Sequence, residues 1–363
     1  MVGRSRRSNR RAVRLAVFLM ILLGTAGAAR AQAASAGTPC RAVSVPVTVA
    51  GGIPETIRGQ LCLPAGATTV QVLIPGATYS AGYWDFPYEP DRYSYVDALA
   101  SAGYATLDIN TLGVGDSSRP PSALVAIESD ASAVHQVIQA ARNGAFGPHF
   151  PRVIAVGHSM GTAVAWHEAA VYHDIDGLIA TGNVHLPSVT GASQGLADLY
   201  PADLDPRFAP DHLDPRYLTT RPGTRGPLFY NEADADPTVI ALDERTKDVA
   251  TYLYAGTYFA EDADADTARI SVPVLLADGQ DDHLMCTGVA VTDCSSSSAL
   301  LASEAPYYTG TGCLSAYVLP SAGHDLNLSL NARSFFAEAV RWSDTWIGPR
   351  APSPHRRCAA TGD

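Results

Sequence analysis

Beyond its first two dozen residues the 363-residue chain has no apolar run approaching the roughly 18 residues that a membrane-crossing helix needs. The sequence therefore predicts a soluble mature chain with no membrane anchor. No two of the six cysteines stand at C-x-x-C spacing, and the nearest pair, Cys286 and Cys294, has seven residues between, which is poor for zinc. H-E-x-x-H is also missing, since His167 and His173 lie six apart with one glutamate between, and no metal is expected. Two acidic runs, NEADADP (231–237) and EDADADT (261–267), lack the sixth-position glycine and closing glutamate of a calcium loop, and read as solvated surface. Positive charge is scarce as well. Of 25 Lys and Arg, seven arginines fall in residues 1–33, which leaves 18 against 36 Asp and Glu. Such a balance argues against nucleic acid or an anionic membrane as partner.

What is present begins with residues 1–33, where those arginines precede and flank the apolar run 15–23 and the small-residue stretch GTAGAARAQA. This is the pattern of a secretory signal, with cleavage after Ala31 or Ala33, and it predicts a secreted, extracellular protein. Arg6-Arg7 is followed by Ser8-Asn9-Arg10, not the apolar pair of the twin-arginine route, so general export is the reading. The cysteines Cys40, Cys62, Cys286, Cys294, Cys313 and Cys358 all follow it, and an even number in an exported chain predicts disulfides. Residues 40–62 read as two strands around Gly51-Gly52, which sets Cys40 opposite Cys62. The other four cysteines leave three pairings open.

The most informative stretch is VIAVGHSMGT (153–162). Four apolar residues without a polar face form a buried strand, and small and apolar residues at helical spacing follow to about Tyr172. Between them stands Gly157-His158-Ser159-Met160-Gly161, a G-x-S-x-G nucleophile elbow. A strand that turns into a helix at one residue strains that residue and crowds its neighbours, so both flanking positions must lack a side chain. Ser159 is then held at a helix N-terminus, whose free N–H groups favour developing negative charge. It still needs a base and a carboxylate from elsewhere.

Strand and helix patterns alternate around the elbow: strands at 70–74, 105–109 and 175–180, helices at 93–102 and 123–143. The rhythm stops at 184–268, a segment rich in Pro, Asp and Tyr with scattered helix patterns near 237–259, and resumes with strands at 270–277 and 316–319. A closing helix places Phe335, Ala339, Trp342 and Trp346 on one face. This alternation predicts an α/β fold with a mostly parallel sheet and its site at the carboxyl ends of the strands. The predicted organisation is a core of 34–183 and 269–363 with 184–268 inserted as a cap.

The loops PGAT (75–78), NTLGVGDS (110–117), GHSMG (157–161), GQDD (279–282) and PSAGHD (320–325), each after a strand and in this order, resemble the α/β-hydrolase family of secreted serine esterases and lipases. The resemblance covers residues 43–347 except the inserted segment. It implies the α/β-hydrolase fold, helices on both sheet faces, and a triad in the order nucleophile, acid, histidine: Ser159, a carboxylate near 282, His324. Asp278, Asp281 and Asp282 all follow one strand. The family places its acid three residues after the glycine, which selects Asp282. Some relatives carry the acid after the strand that follows the elbow helix, but there this chain has Asn183. His158 should pack beside the site, whereas His135, His149, His167, His173, His185, His212, His283 and His355 are read as having no chemistry.

The resemblance further implies an oxyanion hole from the N–H groups of Met160 and Ala77, although this chain has Pro75-Gly76 where relatives usually carry His-Gly. The aromatic stretch 79–88 (YSAGYWDFPY) either lines an acyl pocket or packs against the cap. The expected activity is hydrolysis of a small-molecule or lipid carboxylic ester through an acyl-enzyme on Ser159, without a cofactor. The alternatives are an acyltransferase, amidase or lactonase with the same triad, or a binding protein on a hydrolase scaffold.

Overall fold

The computed structural model describes residues 38–254, 256 and 266–350; the expected signal at 1–33 and Cys358 lie outside them. The first hairpin turns at its glycines. Strands β1 (Cys40–Val49) and β2 (Ile53–Cys62) pair antiparallel around Gly51 and Gly52, both at positive φ (80° and 76°), which a side chain would resist. Cys40 faces Cys62 in the register and is disulfide-bonded to it. A second disulfide joins Cys286 to Cys294, and Cys313 is also disulfide-bonded.

The sheet continues with β3 (Thr69–Ile74), β4 (Ala105–Asn110), β5 (Arg152–His158) and β6 (Gly177–Thr181). A separate three-stranded antiparallel sheet then comes from the inserted segment, β7 (Leu199–Pro201), β8 (Tyr217–Thr220) and β9 (Ala250–Thr251). The last strands, β10 (Val274–Gly279) and β11 (Leu314–Leu319), rejoin the large sheet. Its eight strands lie in the order β1-β2-β4-β3-β5-β6-β10-β11. β2 is antiparallel to both neighbours, and every other pair is parallel.

Helices cover both faces, which explains why the run 153–156 of β5 has no polar side. On β5, Val153 and Ala155 pack towards α3 (Ile127–Arg142) and α4 (Met160–Tyr172), which follow the short α1 (Pro90–Tyr93) and α2 (Tyr95–Ser101). Ile154 and Val156 pack on the other side among residues of α2 and of the closing helix (Ala332–Trp346). Phe335, Ala339 and Trp342 of that helix are buried, as their spacing predicts.

The inserted segment contains more structure than its sequence suggests: α5 (Val189–Ala197), α6 (Arg225–Phe229) and α7 (Pro237–Thr246), besides the small sheet. Strands of two to four residues are too short to show a period, so none is legible. The run NEADADP has a local function, because the Asp236 carboxylate caps α7 by accepting from the N–H of Thr238. The strand expected at 270–277 starts four residues later, at Val274, directly after Pro273, which has no N–H to give to a ladder.

Candidate active site

β5 ends at His158, α4 begins at Met160, and Ser159 between them sits at φ 53° and ψ −122°. The two flanking glycines are required by contact. A Cβ on Gly157 would lie 2.5 Å from the Gly161 carbonyl, and one on Gly161 would lie 2.4 Å from the carbonyl of Ile74. The strained residue is held from three sides. Its N–H donates to Thr181 O (2.8 Å), and its carbonyl accepts from the Thr162 N–H (2.9 Å) and from Nδ2 of Asn183 (3.0 Å). Asn183 thus braces the elbow from the position where some relatives carry their acid.

Beyond β10 the chain turns back so that Asp282 is fully buried. Its Oδ1 accepts the N–H groups of Leu284 (2.7 Å) and Met285 (3.0 Å), and its Oδ2 lies 2.7 Å from Nδ1 of His324. His324 follows β11 and is 1 % exposed, and its Nε2 has no hydrogen-bond partner. His324 and Ser159 line one cavity of about 100 Å3. Asp281 is exposed and accepts from Asn231 instead. Asp278 is buried beside Asp282.

The charges follow from this packing. Burial alone would lower the His324 pKa, but the Asp282 carboxylate outweighs it and the net shift is upward. For Asp282, burial pulls upward while the His324 charge and the donated hydrogen bonds pull it below the usual carboxylate range. Asp278 moves the other way, pushed well up by burial and then by Asp282. Burial thus favours the protonated form of Asp278, whereas His324 and the donated hydrogen bonds favour the charged form of Asp282. His158 is fully buried and held well below its ordinary pKa, first by desolvation and then by His324. As expected it packs beside the site, its ring centroid 4.8 Å from that of His324.

Ala77 and Met160 both line the cavity, and neither backbone N–H donates to protein among the described residues. Gly76, the position this loop shares with the His-Gly of relatives, has a steric reason: a Cβ there would lie 3.0 Å from Ser159 Cβ. Next to Ala77, Thr78 takes a positive φ of 64°. Its side chain accepts from Nη1 of Arg225 at 2.9 Å and its carbonyl accepts the N–H of Asp248 at 2.8 Å, so residues of the inserted segment hold this loop.

The aromatic stretch divides. Tyr79 lines the cavity, while Tyr83, Trp84 and Phe86 are core residues. Leu196, Leu228 and Phe229 of the inserted segment supply apolar wall. Sequence reading missed Arg225, Asp243 and Asp325. Arg225 and Asp243 form a buried ion pair, and the Asp325 carboxylate accepts from the Tyr79 hydroxyl (2.5 Å) and lies 3.3 Å from His158 Nε2. Asp325 stood in the quoted PSAGHD loop, and its place next to the histidine was the available signal.

No curated protein matches the chain in sequence. Solved structures do match in shape. A Pyrococcus furiosus esterase, Pf2001, superposes with a TM-score of 0.54 at 14% identity, covering 85% of this chain and 92% of its own. E-2-(acetamidomethylene)succinate hydrolase gives 0.54 at 16% identity over 84% of this chain and all of the other. The enol-lactonase of Burkholderia xenovorans LB400 gives 0.52 at 18% identity, with 82% and 98% covered. At such identities these likenesses concern the fold. The model of the alpha/beta hydrolase family matches residues 71–339, from β3 to the closing helix, and the chain therefore belongs to the alpha/beta hydrolase family.

Proposed function

We propose that this protein is a secreted serine hydrolase that cleaves carboxylic esters through an acyl-enzyme on Ser159. The observation that carries the reading is the His324 ring. It is tied at Nδ1 to Asp282 and without a partner at Nε2 among the described residues, and it lines the same small cavity as a serine on a strained strand-to-helix turn. In this reading His324 Nε2 takes the Ser159 proton during attack on the acyl carbon, while Asp282 orients the ring and stabilises its charged form. The N–H groups of Met160 and Ala77 receive the oxyanion, each worth roughly 3 kcal/mol in the transition state. His324 then returns the proton to the departing alcohol, and water repeats the sequence on the acyl-enzyme.

The mostly apolar wall of the cavity favours an apolar acyl group on a small-molecule or lipid ester. Residues 184–268 act as the cap over it. The disulfides fit an oxidising compartment, and no helix among the described residues is long and apolar enough to cross a membrane. Hydrolysis of a fluorogenic short-chain ester tests the proposal. Ser159→Ala is expected to lower the rate by about four to six powers of ten, and equal activity in the two proteins overturns it. Products formed with competing alcohols and amines separate hydrolysis from acyl transfer. A fluorophosphonate that fails to label Ser159 would leave only a binding protein on this scaffold.

A further inference from the structure

Far along α4 from Ser159, three side chains from separate stretches converge on a spot that the proposed chemistry does not use. His135 comes from α3, Glu168 from α4, and Asp174 from the turn that follows His173, which leaves the helix at φ 51°. One ligand atom from each lies within 4.8 Å of the other two. His135 Nδ1 is 2.8 Å from Asp174 Oδ2 and 4.0 Å from Glu168 Oε1.

Glu168 makes this more than an acidic cluster. Its side chain is 0 % exposed, and among the described residues neither carboxylate oxygen has a hydrogen-bond donor; Asp174 Oδ1 is buried and has none either. Three carboxylate oxygens out of water without donors call for a cation or a proton. No guanidinium meets that need, because Arg142 is committed to the carbonyl of Asp174 and to Asp176. The surroundings hold the candidate ligands in place. Tyr172 stacks on the His135 ring at 3.9 Å, and Gln139 Nε2 donates to Asp174 Oδ2 at 2.5 Å.

We propose that His135, Glu168 and Asp174 bind a divalent cation of the zinc type. Around zinc with bonds of about 2.0–2.2 Å, tetrahedral ligand atoms stand roughly 3.3–3.5 Å apart, between the two distances found here. One imidazole and two carboxylates suit zinc with a water in the fourth position, whereas calcium and magnesium call for six or more oxygen ligands or several retained waters. The partly exposed edges of His135 (27 %) and Asp174 (13 %) give the ion and its water access. The second cluster of suitable geometry, Asp278 with Cys286 and Cys294, offers no thiolates because its sulfurs form a disulfide. Sequence gave no sign of the first site, since its ligands are 33 and six residues apart and match no metal pattern.

The test is calorimetric titration of zinc chloride into the whole chain, prepared without an affinity tag and stripped with a chelator. The expected result is one zinc per chain and a rise in melting temperature. His135→Ala and Glu168→Gln should each weaken binding by at least roughly 100-fold, while His149→Ala, at an exposed histidine, should bind as the wild type does. Should the buried Glu168→Gln fail to fold, the partly exposed His135→Ala carries the comparison. Absence of binding, or equal binding in His135→Ala, overturns the site and leaves Glu168 as a buried carboxyl without an ion.

Discussion

Arg225 grips Asp243 by two parallel hydrogen bonds of 2.9 Å, Nε to Oδ2 and Nη2 to Oδ1, with both side chains out of water. The third guanidinium nitrogen reaches Thr78 beside Ala77, and the cation lies 4.1 Å from the centre of the Tyr79 ring. Tyr79 passes the contact to Asp325, which neighbours His324 in the chain and His158 in space. The inserted segment, the loop carrying Ala77 and the turn carrying His324 are therefore joined by one buried polar network.

Breaking that pair should cost both stability and rate. Asp243→Asn leaves the Arg225 charge buried and unpaired, which typically costs about 3–5 kcal/mol. It also frees the guanidinium to move away from Thr78. Urea denaturation should show the loss of stability, and ester hydrolysis should show a fall in kcat that exceeds any change in KM. Unchanged kcat in a folded Asp243→Asn protein would mean that the network does not hold the loop.

The two carboxyl groups at the end of β10 should respond differently to one change. Burial pushes the Asp278 carboxyl well up, so the neutral Asp278→Asn should retain activity to within roughly tenfold. Asp282→Asn removes the charge that orients and stabilises the imidazolium and should lower kcat by about 10⁴. The reverse ranking would make Asp278 the acid.

The same variant shifts the pH profile. His324 must be neutral to accept a proton, and its pKa is raised above 6.5 because Asp282 outweighs burial. The wild-type kcat/KM should therefore fall as pH drops through a value above 6.5. In Asp282→Asn burial, the largest cause, and the Arg225 charge both pull downward against Asp325 alone, so the limb of the residual activity should move to lower pH. A limb at the same pH in both proteins would remove Asp282 as its cause.

Much of this site is legible because it lies in local patterns. The elbow, the acid loop and the histidine turn each follow an apolar strand, and their glycines mark close approaches that contact distances explain at Gly157 and Gly161. Cys40 and Cys62 are equally legible, because a hairpin register is fixed by its turn. Arg225 and Asp243 are not. They lie 147 and 164 residues from the loop they contact, in a segment whose small-sheet strands have two to four residues, and no periodicity announces a pairing made only in three dimensions. The same holds for Glu168, an acidic residue on an otherwise apolar helix, whose partners come from other elements.

Gly76 is a position where a single methyl group should act on catalysis more than on folding. A Cβ there would lie 3.0 Å from Ser159 Cβ and from the His158 carbonyl, so the loop must retreat by a few tenths of an ångström and carry the Ala77 N–H with it. Gly76→Ala should lower kcat by roughly 10- to 100-fold with little change in melting temperature. Full activity would show that Ala77 is not an oxyanion donor.

The two resolved disulfides offer opposite outcomes from similar chemistry. Cys40–Cys62 closes a separation of 22 residues at the sheet edge, so replacing both by serine should cost about 3 kcal/mol by the chain-entropy argument and leave kcat alone. Cys286–Cys294 closes only eight residues, but it begins four residues after Asp282. The N–H of Cys286 donates to the Asp282 carbonyl, and the preceding Leu284 and Met285 hold its carboxylate. Replacing this pair should cost about 2–3 kcal/mol and also lower kcat by roughly tenfold, with the acid limb of the pH profile displaced downward as Asp282 loosens its hold on His324. Melting curves and pH profiles of the two double variants separate the roles, and a kcat loss in the Cys40, Cys62 variant alone would reverse the assignment.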